Sequence, residues 1–433
     1  MLEKGNKKII RAWTFYDWAN SVYPLVVTTA IFPPFYEAIT SSEETDMVSF
    51  FGLDLHNSAL YAYVVSASFL VVAILSPLLS GVADYWGNKK FFLKVFCYLG
   101  AGAVGSMYFF GNFFDAGLLE LGMLSLFLAS IGFWGSLVYY NAFLPEIAEP
   151  EDHDSISARG YSLGYFGSSI LLIIILAIYL GKFIPGPPNW SFPIVMIWWI
   201  GFAQYTFFRL PKFAYHHNKA GKGILYKGFH ELQKVWQELK TLKVIKRYLT
   251  AYFFYSMGVQ TVMLMAVIFA AKEVQWEDDG KTGLIISVLI IQFIAIPGAF
   301  AFSKGSAIWG NISVLKVAVF FWIVVCTWAY FIHLPWQFYL TAVGVGFVMG
   351  GIQSLSRSTY SKMLPETEDH ASYFSFYDML EKLGIMIGTL VFASIETYTD
   401  NIRDSIFGII ISFVIGLILL FRVPKEKRVN PNG

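Results

Sequence analysis

Charge is what this chain most lacks. Only 14% of its 433 residues are Asp, Glu, Lys or Arg, against about a quarter in an ordinary soluble protein. So few charges cannot cover a water-exposed surface, which excludes an ordinary cytosolic enzyme, a disordered regulator and a nucleic-acid binder. Cysteine is nearly absent as well. Cys97 and Cys326 sit in apolar runs without CxxC spacing, so neither a disulfide framework nor a thiolate metal site is expected, and buried structural thiols are. The seven histidines (His56, His153, His216, His217, His230, His333 and His370) fall in loops or at the ends of apolar runs, which argues against an intramembrane metal centre. No cofactor and no metal are expected. The net charge of +1 implies no polyanionic partner.

What is abundant is apolar surface: 56% hydrophobic and 18% aromatic residues, with a mean hydropathy of +0.56. A helix needs about 20 largely apolar residues to cross about 30 Å of hydrocarbon. Twelve such runs lie near 14–39, 58–82, 91–113, 118–143, 159–180, 190–210, 247–271, 283–303, 312–333, 336–356, 373–395 and 404–423. Alternation is too poor and the runs too long for barrel strands. The expected fold is an all-α polytopic membrane protein of twelve transmembrane helices in two pseudo-symmetric six-helix bundles. With the N-terminus inside, 26 of the 31 Lys and Arg fall on inner segments, four (Lys182, Lys272, Lys281, Arg403) on outer segments and one, Lys382, within a span. That asymmetry predicts a plasma (inner) membrane protein with both termini cytoplasmic.

The longest inner segment separates residues 1–210 from 247–433, which ends in a short cytoplasmic tail. It covers 211–246 and carries Leu225, Phe229, Leu232, Trp236, Leu239 and Leu242 at helical steps among lysines, the pattern of a basic amphipathic linker on the bilayer surface. The two halves repeat one another. Trp86-Gly87-Asn88 recurs as Trp309-Gly310-Asn311, Leu144-Pro145-Glu146 as Leu364-Pro365-Glu366, and Glu151-Asp152-His153 as Glu368-Asp369-His370, in the same order at equivalent loops. Parallel six-helix repeats are the plan of a rocking transporter with a site at the repeat interface.

The loop after the second span reads Gly81-Val82-Ala83-Asp84-Tyr85-Trp86-Gly87-Asn88-Lys89-Lys90. It resembles the signature loop of the major facilitator superfamily. Tyr16-Asp17-Trp18-Ala19-Asn20-Ser21, Ser157-Ala158-Arg159-Gly160-Tyr161 and Gly351-Ile352-Gln353-Ser354-Leu355-Ser356-Arg357-Ser358 are similar to the vacuole-effluxer-like branch, which includes the autophagy-related permeases. The resemblance implies alternating access, with Asp84 set against the start of the eleventh helix near Ser372, where the helix dipole favours a carboxylate. Gly81 and Gly87 would form the turn, and Lys89, Lys90, Arg159 and Arg357 would complete an inner gate. Ala307 or Ile308 stands near the place of Asp84 in the second half, so that half is expected to lack the lock.

Charged residues within spans are expensive and are functional candidates by default. The eleventh span carries Asp378, Glu381 and Lys382. Asp378 and Lys382, four residues apart, are expected to neutralise each other, leaving Glu381 without a local partner and able to take up a proton. Asp17 in the first span is the second proton-coupling candidate. Asn20, Tyr23, Tyr139, Tyr140, Asn141, Tyr252, Tyr255, Gln260, Gln292 and Gln353 form a wall of phenols and amides suited to binding a small polar or zwitterionic solute. The expected function is therefore a secondary transporter, proton-coupled and moving such a solute, an amino acid by resemblance and with efflux favoured by resemblance alone. The expected partners are that solute, protons and the lipid bilayer, for a monomer without nucleic acid. A channel or lipid scramblase would need a continuous polar stripe. An integral-membrane enzyme would need His, Ser or carboxylates converging at one depth. Gly160-Tyr161-Ser162-Leu163-Gly164 and Gly100-Ala101-Gly102-Ala103-Val104-Gly105 match enzyme fingerprints, but neither follows a strand.

Overall fold

The computed structural model describes residues 4–41, 45–212, 223–276 and 280–424. All twelve expected runs lie on helices. These are α1 (Lys7–Thr40), α2 (Asn57–Trp86), α3 (Lys89–Asp115), α4 (Leu119–Ile147), α5 (His153–Leu180), α6 (Ser191–Arg209), α7 (Lys243–Glu273), α8 (Lys281–Trp309), α9 (Asn311–Tyr330), α10 (Pro335–Met363), α11 (His370–Thr399) and α12 (Ser405–Phe421). Among the described residues, eleven stretches are both long and apolar enough to span a bilayer. The exception, α11, has 30 residues but carries Asp378, Glu381 and Lys382, the three charges singled out above. A hairpin of β1 (Met47–Phe50) and β2 (Leu53–His56) joins α1 to α2.

Local chemistry shapes the elements. In α1 the segment Tyr23–Ile31 winds as a π-helix. Pro24 has no N–H to give the preceding turn, so the backbone widens there. The Thr28 and Thr29 hydroxyls both donate to the Pro24 carbonyl, at 2.8 and 2.7 Å. Gly87 ends α2 in the left-handed region at φ 71°, and the Asn88 side chain accepts from Phe91 N at 3.2 Å to cap α3. The sequence Trp-Gly-Asn is thus a helix stop followed by a helix start.

The chain divides into two compact units. The first comprises Met1–Ile147, Leu163–Leu232 and Glu368–Met379; the second comprises Ala148–Ser162, Gln233–Thr367 and Leu380–Gly433. Two helices are therefore shared. α5 begins in the second unit and continues in the first, and α11 does the reverse. Glycines let helices approach closely within each unit. A Cβ on Gly132 of α4 would lie 2.2 Å from Gly100 Cα of α3, and one on Gly350 of α10 would lie 2.0 Å from the Ala295 carbonyl oxygen of α8. This is small-residue packing in membranes. Gly132→Val is expected to cost about 1–3 kcal/mol and to lower the melting temperature of the purified protein; an unchanged melting temperature would refute the tight contact.

The expected linker stripe divides in two. The linker helix, Ile224–Thr241, buries Gly228, Val235 and Leu239, while Leu225, Phe229 and Trp236 remain exposed. The glycine decides this, because only a bare backbone can seat against α2. A Cβ on Gly81 would lie 2.1 Å from the Gly228 carbonyl oxygen. Residues 213–222 of the expected linker and 425–433 of the expected tail lie outside the described residues.

Candidate functional site

In the first unit, the last turn of α2 meets the first turn of α11. Asp84, 9% exposed, accepts from Ala371 N at 3.2 Å and from Ser372 N at 2.7 Å. One carboxylate thereby satisfies two of the four N–H groups that a helix leaves open at its start. Lys89 Nζ stands 3.3 Å from Asp84 Oδ1, pairs with Glu146 and donates to the Glu368 carbonyl at 3.1 Å. His370 Nδ1 lies 3.1 Å from Glu146 Oε1. Hydrogen bonds to charged groups contribute about 1.5–3 kcal/mol each, and removing one member of a buried pair costs about 3–5 kcal/mol because it strands the other.

The residues expected at the gate differ in their contacts. Asp84 and Lys89 are both in the cluster at the start of α11. Lys90 donates to the Leu210 carbonyl at 2.6 Å, closing the end of α6. Gly87 forms the turn, but Gly81 does not: it lies inside α2 and serves the close approach of the linker helix, which also sets Lys227 Nζ 2.8 Å from the Tyr85 hydroxyl. Arg159 is exposed because it falls on the outer side of α5, opposite the face that carries Ser157 and Tyr161.

Arg357 belongs to the second unit. It is 2% exposed, donates through Nε to Ser157 Oγ at 2.9 Å and through Nη2 to the Ser157 carbonyl at 3.0 Å, and lies over the Tyr161 ring at 4.2 Å. The planar guanidinium suits both tasks at once. The second unit also has a carboxylate cluster that the repeat comparison missed. Asp154, in the first turn of α5, accepts from Asn311 Nδ2 at 2.7 Å, Ser306 Oγ at 2.8 Å and Lys362 Nζ at 2.6 Å. Ala307 holds no carboxylate, and the carboxylate of this cluster comes from α5 instead. Glu146, His370 and Lys362 were readable only as repeat landmarks or inner-side cations. The available signal was a charged residue beside each landmark at a helix end.

The span residues form separate groups. In the first unit the Tyr140 hydroxyl donates to Asp17 Oδ2 at 2.7 Å, and Tyr140 stacks on Trp13. Asn20, one turn further along α1, is 1% exposed and its Nδ2 has no hydrogen-bond partner. The Tyr23 hydroxyl pairs with Ser130 Oγ at 2.8 Å. Tyr139 stacks on Phe92 and on Phe96, and its buried hydroxyl has no hydrogen-bond partner. Asn141 is half-buried and Asp378 is buried.

In the second unit Glu381 has partners, contrary to the expectation. Gln260 Nε2 donates to Oε1 at 2.7 Å, and Lys382 Nζ donates to Oε2 at 2.8 Å. Adjacent helical residues meet here at their tips because the flexible Lys382 stem reaches Glu381. Gln292, 9% exposed, keeps a buried oxygen without a donor. Tyr255 joins Tyr248 at 3.2 Å and Ser356 Oγ at 2.8 Å, with Tyr252 edge-on to its ring. Gln353 is half-buried. Among the described residues there is no His, Cys, Asp and Glu grouping fit for a metal ion.

Comparison with known proteins extends these geometries. The family model described as "Vacuole effluxer Atg22 like" matches residues 5–431. A Bacillus subtilis (strain 168) protein named "Uncharacterized MFS-type transporter YxiO" is 32% identical over 428 residues, covering 96% of this chain and 94% of its own length. In fold, the chain is similar to the human organic anion transporter MFSD10 (TETRAN), with TM-score 0.69 and 14% identity over 96% of this chain and 100% of that one. It is also similar to the E. coli fucose:proton symporter FucP, with TM-score 0.66 and 14% identity over 97% and 98% of the two chains.

Proposed function

Because this chain belongs to the vacuole effluxer Atg22-like family and is an MFS-type transporter, we propose that it couples protons to the movement of a small polar or zwitterionic solute, an amino acid by preference, outward by alternating access. The observation that carries the coupling is Glu381, a carboxylate within α11 held by one amide and one ammonium. Protonating it weakens the bond to the buried Lys382, so proton binding and helix position become linked. Asp17 is the second proton site, and its bond to Tyr140 would be remade in the same way.

The solute reading rests on two unpaired polar atoms, Asn20 Nδ2 and Gln292 Oε1. One is a donor and the other an acceptor, and buried groups of this kind are rarely left unpaired. Each is open to a solute group of the opposite kind, an acceptor at Asn20 and a donor at Gln292. Both termini face the cytoplasm in this reading, and the membrane is the plasma membrane. The test begins with a thermal-shift screen of amino acids and related metabolites across pH. Each hit is then assayed for flux in liposomes with and without an imposed pH gradient. Gradient-dependent flux of a zwitterion supports the proposal, whereas flux that ignores the gradient, or hits confined to apolar compounds, defeats it.

A further inference from the structure

The repeat and the two carboxylate clusters, taken together, reveal an exchange of roles. Aligning the halves on Trp86 and Trp309 places Ala307 at the position of Asp84, and aligning them on His153 and His370 places Asp154 at the position of Ala371. In the first unit the carboxylate is on the helix end (Asp84) and the shared helix α11 supplies backbone donors. In the second unit the shared helix α5 supplies the carboxylate, and the helix ends supply the donors Ser306, Asn311 and Lys362.

We infer that Asp154 and Lys362 form a second, polarity-inverted latch on the inner side, acting on α5 as Asp84 acts on α11. This rests on the alternating-access reading given above. The grip is extensive. Asp154, Ser157 and Tyr161 follow one face of α5 at helical spacing. Asp154 is held by Ser306, Asn311 and Lys362; Ser157 and Tyr161 are held by Arg357; and the Ser157 hydroxyl donates to the Ser354 carbonyl at 2.7 Å. Asn311 is itself fixed by Thr359 Oγ1 at 3.0 Å and by Lys362 at 3.2 Å. Its repeat partner Asn88 caps a helix, so the same residue has been given a different task. Asp154 lies in a first turn and Lys362 in a last turn, the ends where each charge is favoured by its own helix. α5 is shared by both units, so a clasp on its first two turns restrains the helix that the transport cycle must move.

The test uses full-length protein in lipid nanodiscs with a bulky maleimide and peptide mass spectrometry. Ser162→Cys is the reporter: Ser162 is 6% exposed and its hydroxyl has no hydrogen-bond partner. Asp154→Asn and Lys362→Met are each expected to raise its labelling rate about tenfold, while Asp154→Glu, which keeps the charge, stays within about threefold of the parent. The buried native thiols Cys97 and Cys326 remain protected throughout. An unchanged rate in both variants overturns the latch, as does a failure of Asp154→Glu to retain protection. Equal exposure of Cys97 and Cys326 also overturns it, since the cluster then merely holds the fold. Asp84→Lys with Ala371→Cys is measured alongside. If that pair responds and Asp154→Asn does not, only this inference falls; if neither responds, the alternating-access reading falls with it.

Discussion

Glu381→Gln is expected to abolish concentrative transport while leaving exchange of solute for solute intact. A two-unit pH gradient stores about 2.7 kcal/mol per proton, enough to hold about a hundredfold solute gradient when one proton moves per cycle. The glutamine keeps the size of the side chain and can still meet Gln260, but it cannot carry a proton. The accumulation ratio should therefore fall from about a hundredfold towards one. Counterflow, which needs only reorientation of a loaded carrier, should persist. Lys382 loses its bond to Glu381 Oε2 in this variant, so the variant is to be compared with Lys382→Met and with the double substitution. Concentrative uptake that survives in both Glu381→Gln and Asp17→Asn would remove the coupling assignment.

Asp84→Lys should have the next largest effect. It replaces two charge-assisted bonds at the start of α11 with a cation facing the positive end of a helix, 3.3 Å from where Lys89 now sits. Removing the buried carboxylate costs about 3–5 kcal/mol, and reversal adds repulsion. The inner side should lose its seal. Labelling of Ala371→Cys, fully buried in the parent, should rise by at least about tenfold, and net transport should fall. The milder Asp84→Asn keeps an acceptor and should lie between the two. Unchanged labelling of Ala371→Cys in Asp84→Lys would show that the contact does not gate.

Several of these features were readable from one dimension. Length and hydropathy sufficed for the spans, because a bilayer imposes one length and one polarity on every crossing. The signature loop was readable because its residues are contiguous: Gly87 had to end a helix, Asn88 had to begin one, and Asp84 had to lie one turn before. Partners were less readable. Glu381 was expected to have no local partner, because spacing along one helix was the only available guide. A second helix supplies Gln260, and spacing along α11 carries no information about it. Gly81 was read as a turn residue because glycine usually marks one, whereas its missing Cβ in fact receives another backbone.

The second carboxylate cluster shows the same limit most clearly. The repeat places Ala307 where the first half has Asp84 and points to no carboxylate there. Only the folded chain brings Asp154, Ser306, Asn311 and Lys362 together from four places in the sequence. By itself, then, the sequence determined the class of the molecule, its crossings and its duplication, since these follow from periodic hydrophobicity and contiguous motifs that neighbouring residues enforce. The tertiary structure alone decided which charges neutralise one another, because a buried ion takes whichever partner the packing of separate helices delivers, whatever the distance along the chain.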